Sequence, residues 1–453
     1  MSGGAALVLR SERVVTPDGV EPACVHILDG VIEAITAHDE IGVGRAVVNA
    51  GDAVIMPGLV DTHVHINEPG RTHWEGFETA TLAAAAGGVT TLVDMPLNSI
   101  PATTTRAALE IKREAARDRC HVDVAFWGGV VPGSENELRA LSDAGVLGFK
   151  CFLVPSGAPE FEHVGVAELR RVLPLLAELG LPLLVHAETQ SLIRAAEGDA
   201  QSYATYLATR PAQSEVAAVE MLIGLCRETG ARVHVVHVSA AGVVPLLRAA
   251  RREGLPISAE TCPHYLHFVA EDVRAGATGL KCAPPIRERE NREQLWAALA
   301  DGDIDMVVTD HSPCPPDLKL GDFLSAWGGI ASLQLGLSIV WTGARVRDAG
   351  IAAIAQWMAA APARLAGLGD RKGQIAPGKD ADLVVWRPES TWTVEPAQLH
   401  NRHTFTPYSG MKLAGIVEAT YLRGEKIYAR GEPAGSCRGR LLGREGASWT
   451  SPI

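Results

Sequence analysis

The sequence predicts an α/β fold, a (β/α)8 TIM-like barrel joined to a small β-sandwich built from both termini. Three observations point there. Short apolar runs alternate with Ala/Leu/Glu/Arg-rich stretches through the middle of the chain, the rhythm of strand and crossover helix. The two ends share another texture, β-rich runs broken by turn pairs such as Asp18-Gly19 and Asp29-Gly30. The length, 453 residues, suffices for one barrel-sized domain plus a smaller module.

Residues 1–56 carry the runs Ala6-Leu7-Val8-Leu9, Ala23-Cys24-Val25-His26-Ile27-Leu28 and Val31-Ile32-Glu33-Ala34-Ile35. Residues 373–433 return to the same pattern, so the two segments are expected to form one β-sandwich domain. Between them, residues 57–372 hold candidate strands at 54–60 (which straddles the boundary), 90–95, 122–130, 146–153, 182–186, 232–238, 256–261 and 306–309. Helical composition is clearest at 106–119, 166–179, 214–229 and 291–300. Residues 434–453, rich in Gly, Ser and Arg, read as a loose C-terminal tail.

Composition excludes several functions. Hydrophobic residues at 47% and charged residues at 21% describe an ordinary globular chain. A net charge of −12 argues against a nucleic-acid surface, which needs a basic stripe. No apolar run reaches membrane-spanning length, and the first residues lack a cationic region followed by an apolar core. The eight cysteines form no C-x-x-C pair, as expected of reduced core residues in a cytoplasmic protein.

In a barrel the chemistry sits where strands end and loops begin. His63 and His65 lie two apart, so both imidazoles leave one face together and offer a divalent cation its first two ligands. The run 182–186 ends in His186, and 306–309 leads into Asp310. On 232–238, His234 and His237 differ by an odd number and should face opposite ways. His237, at the strand end, is then the ligand, while His234 turns towards the helices. Nitrogen and oxygen donors together suit zinc and its neighbours.

Lys150 sits in the apolar run Val146-Leu147-Gly148-Phe149-Lys150-Cys151-Phe152, where a bare ammonium is costly. It either pairs with Asp94 or Glu188 across the barrel, or stays neutral and takes up carbon dioxide as an anionic carbamate. The neighbouring donors favour the carbamate, because four histidines and one aspartate hold two cations only with an anion between them. His73 and His121 read as ordinary polar residues, and His264 and His311 stay open. Trp74, Trp127 and Trp327 either line a pocket or pack.

The segments Asp61-Thr62-His63-Val64-His65, Gly148-Phe149-Lys150-Cys151-Phe152, Leu184-Val185-His186-Ala187-Glu188, His234-Val235-Val236-His237 and Thr309-Asp310-His311 resemble the cyclic amidohydrolases of the amidohydrolase superfamily. The likeness runs from about residue 5 to about residue 430. Within the group it is greatest to the allantoinase branch. The discriminating segments are 67–76, 94–99, 260–265, 282–287 and 326–334. The resemblance implies two divalent metal ions, zinc by preference, bridged by carboxylated Lys150. His63, His65 and Asp310 would bind one ion, and His186 and His237 the other, with Asp310 also the catalytic acid–base.

It further implies substrate contacts at Asn98, Ala283 and Gly329, and hydrolysis of the hydantoin ring of allantoin to allantoate, a step of purine breakdown. The partner is the small-molecule substrate alone, in a homotetramer. Two positions depart from relatives. Pro155 stands where hydantoinase-like chains carry an oxyanion-binding tyrosine, and Asn67 where dihydroorotases carry a carboxylate-gripping arginine. Both departures lower those alternatives, dihydropyrimidinase or hydantoinase and dihydroorotase, and leave no side chain assigned to the oxyanion.

Overall fold

The computed structural model describes residues 6–432 and 435–444. The N-terminal strands are β1 (Leu7–Thr16), β2 (Gly19–Leu28), β3 (Val31–Ala37), β4 (Ala46–Asn49) and β5 (Val54–Pro57). Nine parallel-sheet strands follow: β6 (Leu59–Val64), β7 (Val89–Asp94), β8 (Asp123–Phe126), β9 (Gly128–Gly129), β10 (Phe149–Phe152), β11 (Leu183–His186), β12 (Val233–Val235), β13 (Ile257–Thr261) and β14 (Met306–Val307). The chain returns through β15 (Leu383–Thr393), β16 (Lys412–Leu422) and β17 (Glu425–Ala429).

Both termini do enter one sheet, in the order β17-β16-β15-β5-β1-β2-β3 with β4 on β1. Hydrogen bonds join its eight strands into one continuous mixed sheet. A bulge between Ser11 and Val14 divides β1: its first half pairs with β4 and its second with β5, which in turn pairs with β15. That junction ties residues 7–57 to residues 383–429.

The predicted strand 54–60 is two strands. The chain breaks at Gly58, where an added Cβ would lie 2.3 Å from Thr90 Oγ1, so only glycine lets the backbone cross there. β5 stays in the terminal sheet and β6 opens the parallel one.

The parallel strands form two arcs, β6-β7-β8 and β9-β10-β11-β12-β13-β14. Only Trp127 separates β8 from β9. At the other end a parallel bridge joins Val64 to His311, and Thr309 donates through its backbone N and its Oγ1 (2.6 Å) to Asp61. Helices connect the strands. The one predicted at 166–179 spans Val166–Leu179: the Glu168 carboxylate accepts from the Gly165 N at 3.0 Å, and Gly180 closes the end in the left-handed region. Among the described residues no helix is long and apolar enough to cross a membrane.

The expected loose tail is ordered over its described part. Leu441 bridges Val124 in parallel, Arg440 N donates to Asp123 Oδ1 at 2.8 Å, and Leu442 is buried. The free edge of β8 supplies the reason: its backbone groups need partners, and residues 439–442 give them. Residues 445–453 lie outside the described part.

Candidate metal centre

Five of the six candidate donors leave a parallel strand at or just beyond its C-terminal end, His63 and His65 from β6, His186 from β11, His237 from beyond β12 and Asp310 from beyond β14, while Lys150 lies within β10. His63 Nε2 and His65 Nε2 lie 3.2 and 3.3 Å from Asp310 Oδ1. Ligand atoms of these three residues all fall within 4.8 Å of one another. The His63 ring is 5.4 Å from the His237 ring, itself 4.6 Å from that of His186. The six predicted residues therefore gather at one mouth, all of them buried.

Two of them hold unusual backbone. His237 (φ 39°) and Asp310 (φ 44°) adopt the left-handed region, as do Asn67 and Asn98 nearby. Such strain persists only where surroundings over-determine it. It also explains why simple alternation misplaced His234. β12 ends at Val235, and the turn at His237 swings that ring inward despite its odd spacing. His234 does not face the helices: its Nε2 meets Glu260 Oε2 at 2.9 Å, and Glu260 Oε1 meets His63 Nδ1 at 2.5 Å. His234 Nδ1 reaches Ser258 Oγ at 2.8 Å.

Lys150 is fully buried, and among the described residues its Nζ has no hydrogen-bond partner. Burial pushes the amine down to about 8, with Glu260 and Asp310 opposing. The ion-pair alternatives are closed. Asp94 pairs with Lys112 at 2.7 Å, and Glu188 meets His186 Nε2 at 2.7 Å and also binds Arg210. Burial lowers His65 and His186 and takes His237 well below the usual imidazole range, so these rings present lone pairs. Burial opposes ionisation of Asp310 as well, but His63 and His65 hold it well below the usual carboxylate range.

These residues fit divalent cations. Glu260 occupies His63 Nδ1 and Glu188 occupies His186 Nε2, which leaves His63 Nε2 and His186 Nδ1 for a metal. Sequence offered Glu188 only as a partner for Lys150, and neither glutamate as the partner of a ligand histidine. The signal was there: each ends an apolar run, or follows one by two residues, as the ligands themselves do.

The donors open into a cavity of about 520 Å3 lined by His65, His186 and Asp310. Asn98, Ala283 and Gly329 line it too. Asn98 Nδ2 sits 3.4 Å from His65 Nδ1. An added Cβ at Gly329 would meet Ser312 O at 2.5 Å, and its φ of 136° already demands glycine. Trp327 lines the cavity with Trp74 edge-on at 4.9 Å, whereas Trp127 is buried and donates to Thr62 O. Cationic side chains that sequence did not flag, Arg194, Arg210 and Lys281, complete one wall.

His311 is a structural tie, with Glu75 at 3.1 Å and the backbone N of Ser332 and Leu333 on its other nitrogen. His73 is exposed, and His121 Nε2 lies 3.7 Å from Cys437 Sγ, consistent with ordinary polar residues. His264 is buried beside Cys262 and Asp310.

Nitrogen and oxygen donors converging from parallel strands are a set that could hold a divalent metal. The chain belongs to the amidohydrolase family, whose sequence profile matches residues 54–427. It is 51% identical to an allantoinase of Streptomyces avermitilis over 97% of this chain and 99% of that one. It is 43% identical to an allantoinase of Arabidopsis thaliana, covering 96% and 90%. Among solved structures it resembles an L-hydantoinase (dihydropyrimidinase) from Arthrobacter aurescens, with a TM-score of 0.91 and 31% identity over 97% of this chain and 99% of that one.

Proposed function

We propose that this chain hydrolyses the hydantoin ring of allantoin to allantoate. The observation that carries the reading is the gathering of His63, His65 and Asp310 around one point, with His65 and Asp310 lining the cavity. Identity to allantoinases selects the substrate among cyclic amides. On this reading the two arcs close as a (β/α)8 barrel of residues 57–372, with 1–56 and 373–433 as the attached β-domain and 434–453 as a tail. Eight free cysteines among the described residues accord with a reducing cytoplasm. A homotetramer is the assembly the resemblance implies, and light scattering of the purified protein tests it.

His63, His65 and Asp310 would hold one divalent ion, His186 and His237 a second, with Lys150 carboxylated between them. Bound there, zinc ions acidify a water and polarise the scissile carbonyl. Asp310, kept ionised and facing the cavity, accepts the water proton and passes it to the departing ring nitrogen. Asn98 and the backbone at Ala283 and Gly329 orient the ring. Glu188 and Glu260 hold the tautomers of His186 and His63. Pro155 also lines the cavity, so that position offers no hydroxyl to the oxyanion, and the hydroxyl of Tyr206, which lines the cavity too, donates to Cys282 O at 2.8 Å.

Allantoin, hydantoin, dihydrouracil and dihydroorotate assayed side by side, with metal content measured on the same sample, test the reading. Allantoin turnover should exceed the others at least tenfold. Equal or greater turnover of dihydrouracil or dihydroorotate would move the chain to a sister activity. Asp310→Asn should keep much of the metal and lose about 10²–10⁴-fold in turnover, the usual worth of a general acid–base. Near-normal turnover of Asp310→Asn would refute its role.

A further inference from the structure

Cys262 and His264 flank Pro263 where β13 gives way to a short helix, and the mechanism above uses neither. Both are fully buried. One atom each from Cys262, His264 and Asp310 lies within 4.8 Å of the other two. Among the described residues neither ring nitrogen of His264 has a hydrogen-bond partner. A buried imidazole with both nitrogens unsatisfied is rare, because each such group forfeits about 1–3 kcal/mol of solvation. A ligand that takes a lone pair would remove that cost. Asp310 lines the cavity, so a small ion has a route from solvent to this corner.

We propose that Cys262, His264 and Asp310 form a second metal site, selective for thiophilic divalent cations such as cadmium. The sulfur sets the class: thiolate with imidazole and one carboxylate favours soft or borderline ions. The main cluster contains no sulfur among its six donors, so the two sites differ in chemistry. Binding replaces the S–H bond by an S–metal bond and releases one proton to solvent; nothing is oxidised. Because Asp310 is shared, an ion held here draws that carboxylate away from the neighbouring centre and silences turnover. The inhibition rests on the role of Asp310 proposed above. The binding does not.

The test uses metal-loaded full-length protein carrying Cys437→Ser, which removes the thiol that lies 3.7 Å from His121 Nε2. Cadmium chloride is titrated while the ultraviolet thiolate-to-cadmium charge-transfer band and proton release are recorded. One equivalent should raise the band and release one proton as allantoin turnover falls. Cys262→Ser and Cys262→Ala should each lose that equivalent, and His264→Gln should bind it about tenfold more weakly, the low end of a ligand-shell loss. An undiminished band in both Cys262 variants would overturn the proposal, as would inhibition at unchanged cadmium concentration in them. A cadmium band without any allantoin turnover in the starting protein would sink the proposed function alone.

Discussion

Glu260→Gln isolates what a buried carboxylate contributes to the centre without touching a ligand. Glu260 holds two imidazoles at once, His63 Nδ1 at 2.5 Å and His234 Nε2 at 2.9 Å, with both partners fully buried. Hydrogen bonds to a charged group contribute about 1.5–3 kcal/mol each, and neutral ones about half as much. An amide of nearly the same shape therefore loses about 0.8–1.5 kcal/mol at His63, whose other nitrogen would face the metal. At about 1.4 kcal/mol per decade, metal affinity falls about 4–12-fold. Dialysis against a graded chelator series, with retained zinc measured at each step, reads this directly. Ser258→Ala is the control: it removes only the far partner of His234 and should leave metal retention unchanged. The acid limb gives a second reading. Burial opposes ionisation, yet His63 and His234 draw Glu260 from 4.5 down to about 2. A carboxyl depressed in the folded state contributes stability present above pH 4.5 and lost as pH falls towards 2. Metal-free wild type should lose stability across that window, and Glu260→Gln should flatten the loss. A variant that holds zinc within twofold of wild type would refute the reasoning.

Lys150→Ala should deplete bound metal and regain part of it, and part of the turnover, with short carboxylic acids; a fully metallated, active variant would contradict the bridge. Carbamate formation needs the neutral amine and dissolved carbon dioxide, and burial places that amine at about 8, so reconstitution of metal-free protein with zinc at a fixed partial pressure of carbon dioxide should accelerate about tenfold per unit from pH 6 to 8 and level off above. A pH-independent rate of metal uptake would count against it. Lys372 Nζ meets Asp123 at 2.7 Å, Asp380 at 2.9 Å and Asp382 at 2.5 Å in a buried cluster that binds β8 to the terminal sheet. Lys372→Ala leaves those carboxylates short of a cation and should cost about 3–5 kcal/mol in urea unfolding, with metal content unchanged in the fraction that folds. A cost under about 1 kcal/mol would mean that Arg423, 2.7 Å from Asp123, suffices alone.

What the sequence disclosed followed from how each structure depends on neighbours along the chain. Donors placed at strand ends were legible because period-two alternation and a terminating polar residue are local signals. His63 and His65 share a face by that alternation, and the donors ending other apolar runs made the pair a metal candidate. His237 could be named but His234 was turned the wrong way, because a left-handed turn at His237 cancels the alternation that β12 is too short to carry. Glu260 escaped notice for a different reason: its significance is a 2.5 Å contact with a residue 197 positions away, which no window along the chain contains. The split at Gly58 was invisible likewise, since Thr90, the side chain that forbids a Cβ there, belongs to the next strand. The tail is the strongest case. Its composition is that of a loose segment, yet the edge of β8 orders residues 439–442 by offering backbone partners, and backbone partners leave no mark on composition. Local pattern thus disclosed which residues could bind metal, while the groups that fix their tautomers and close the sheet edges became visible only in three dimensions.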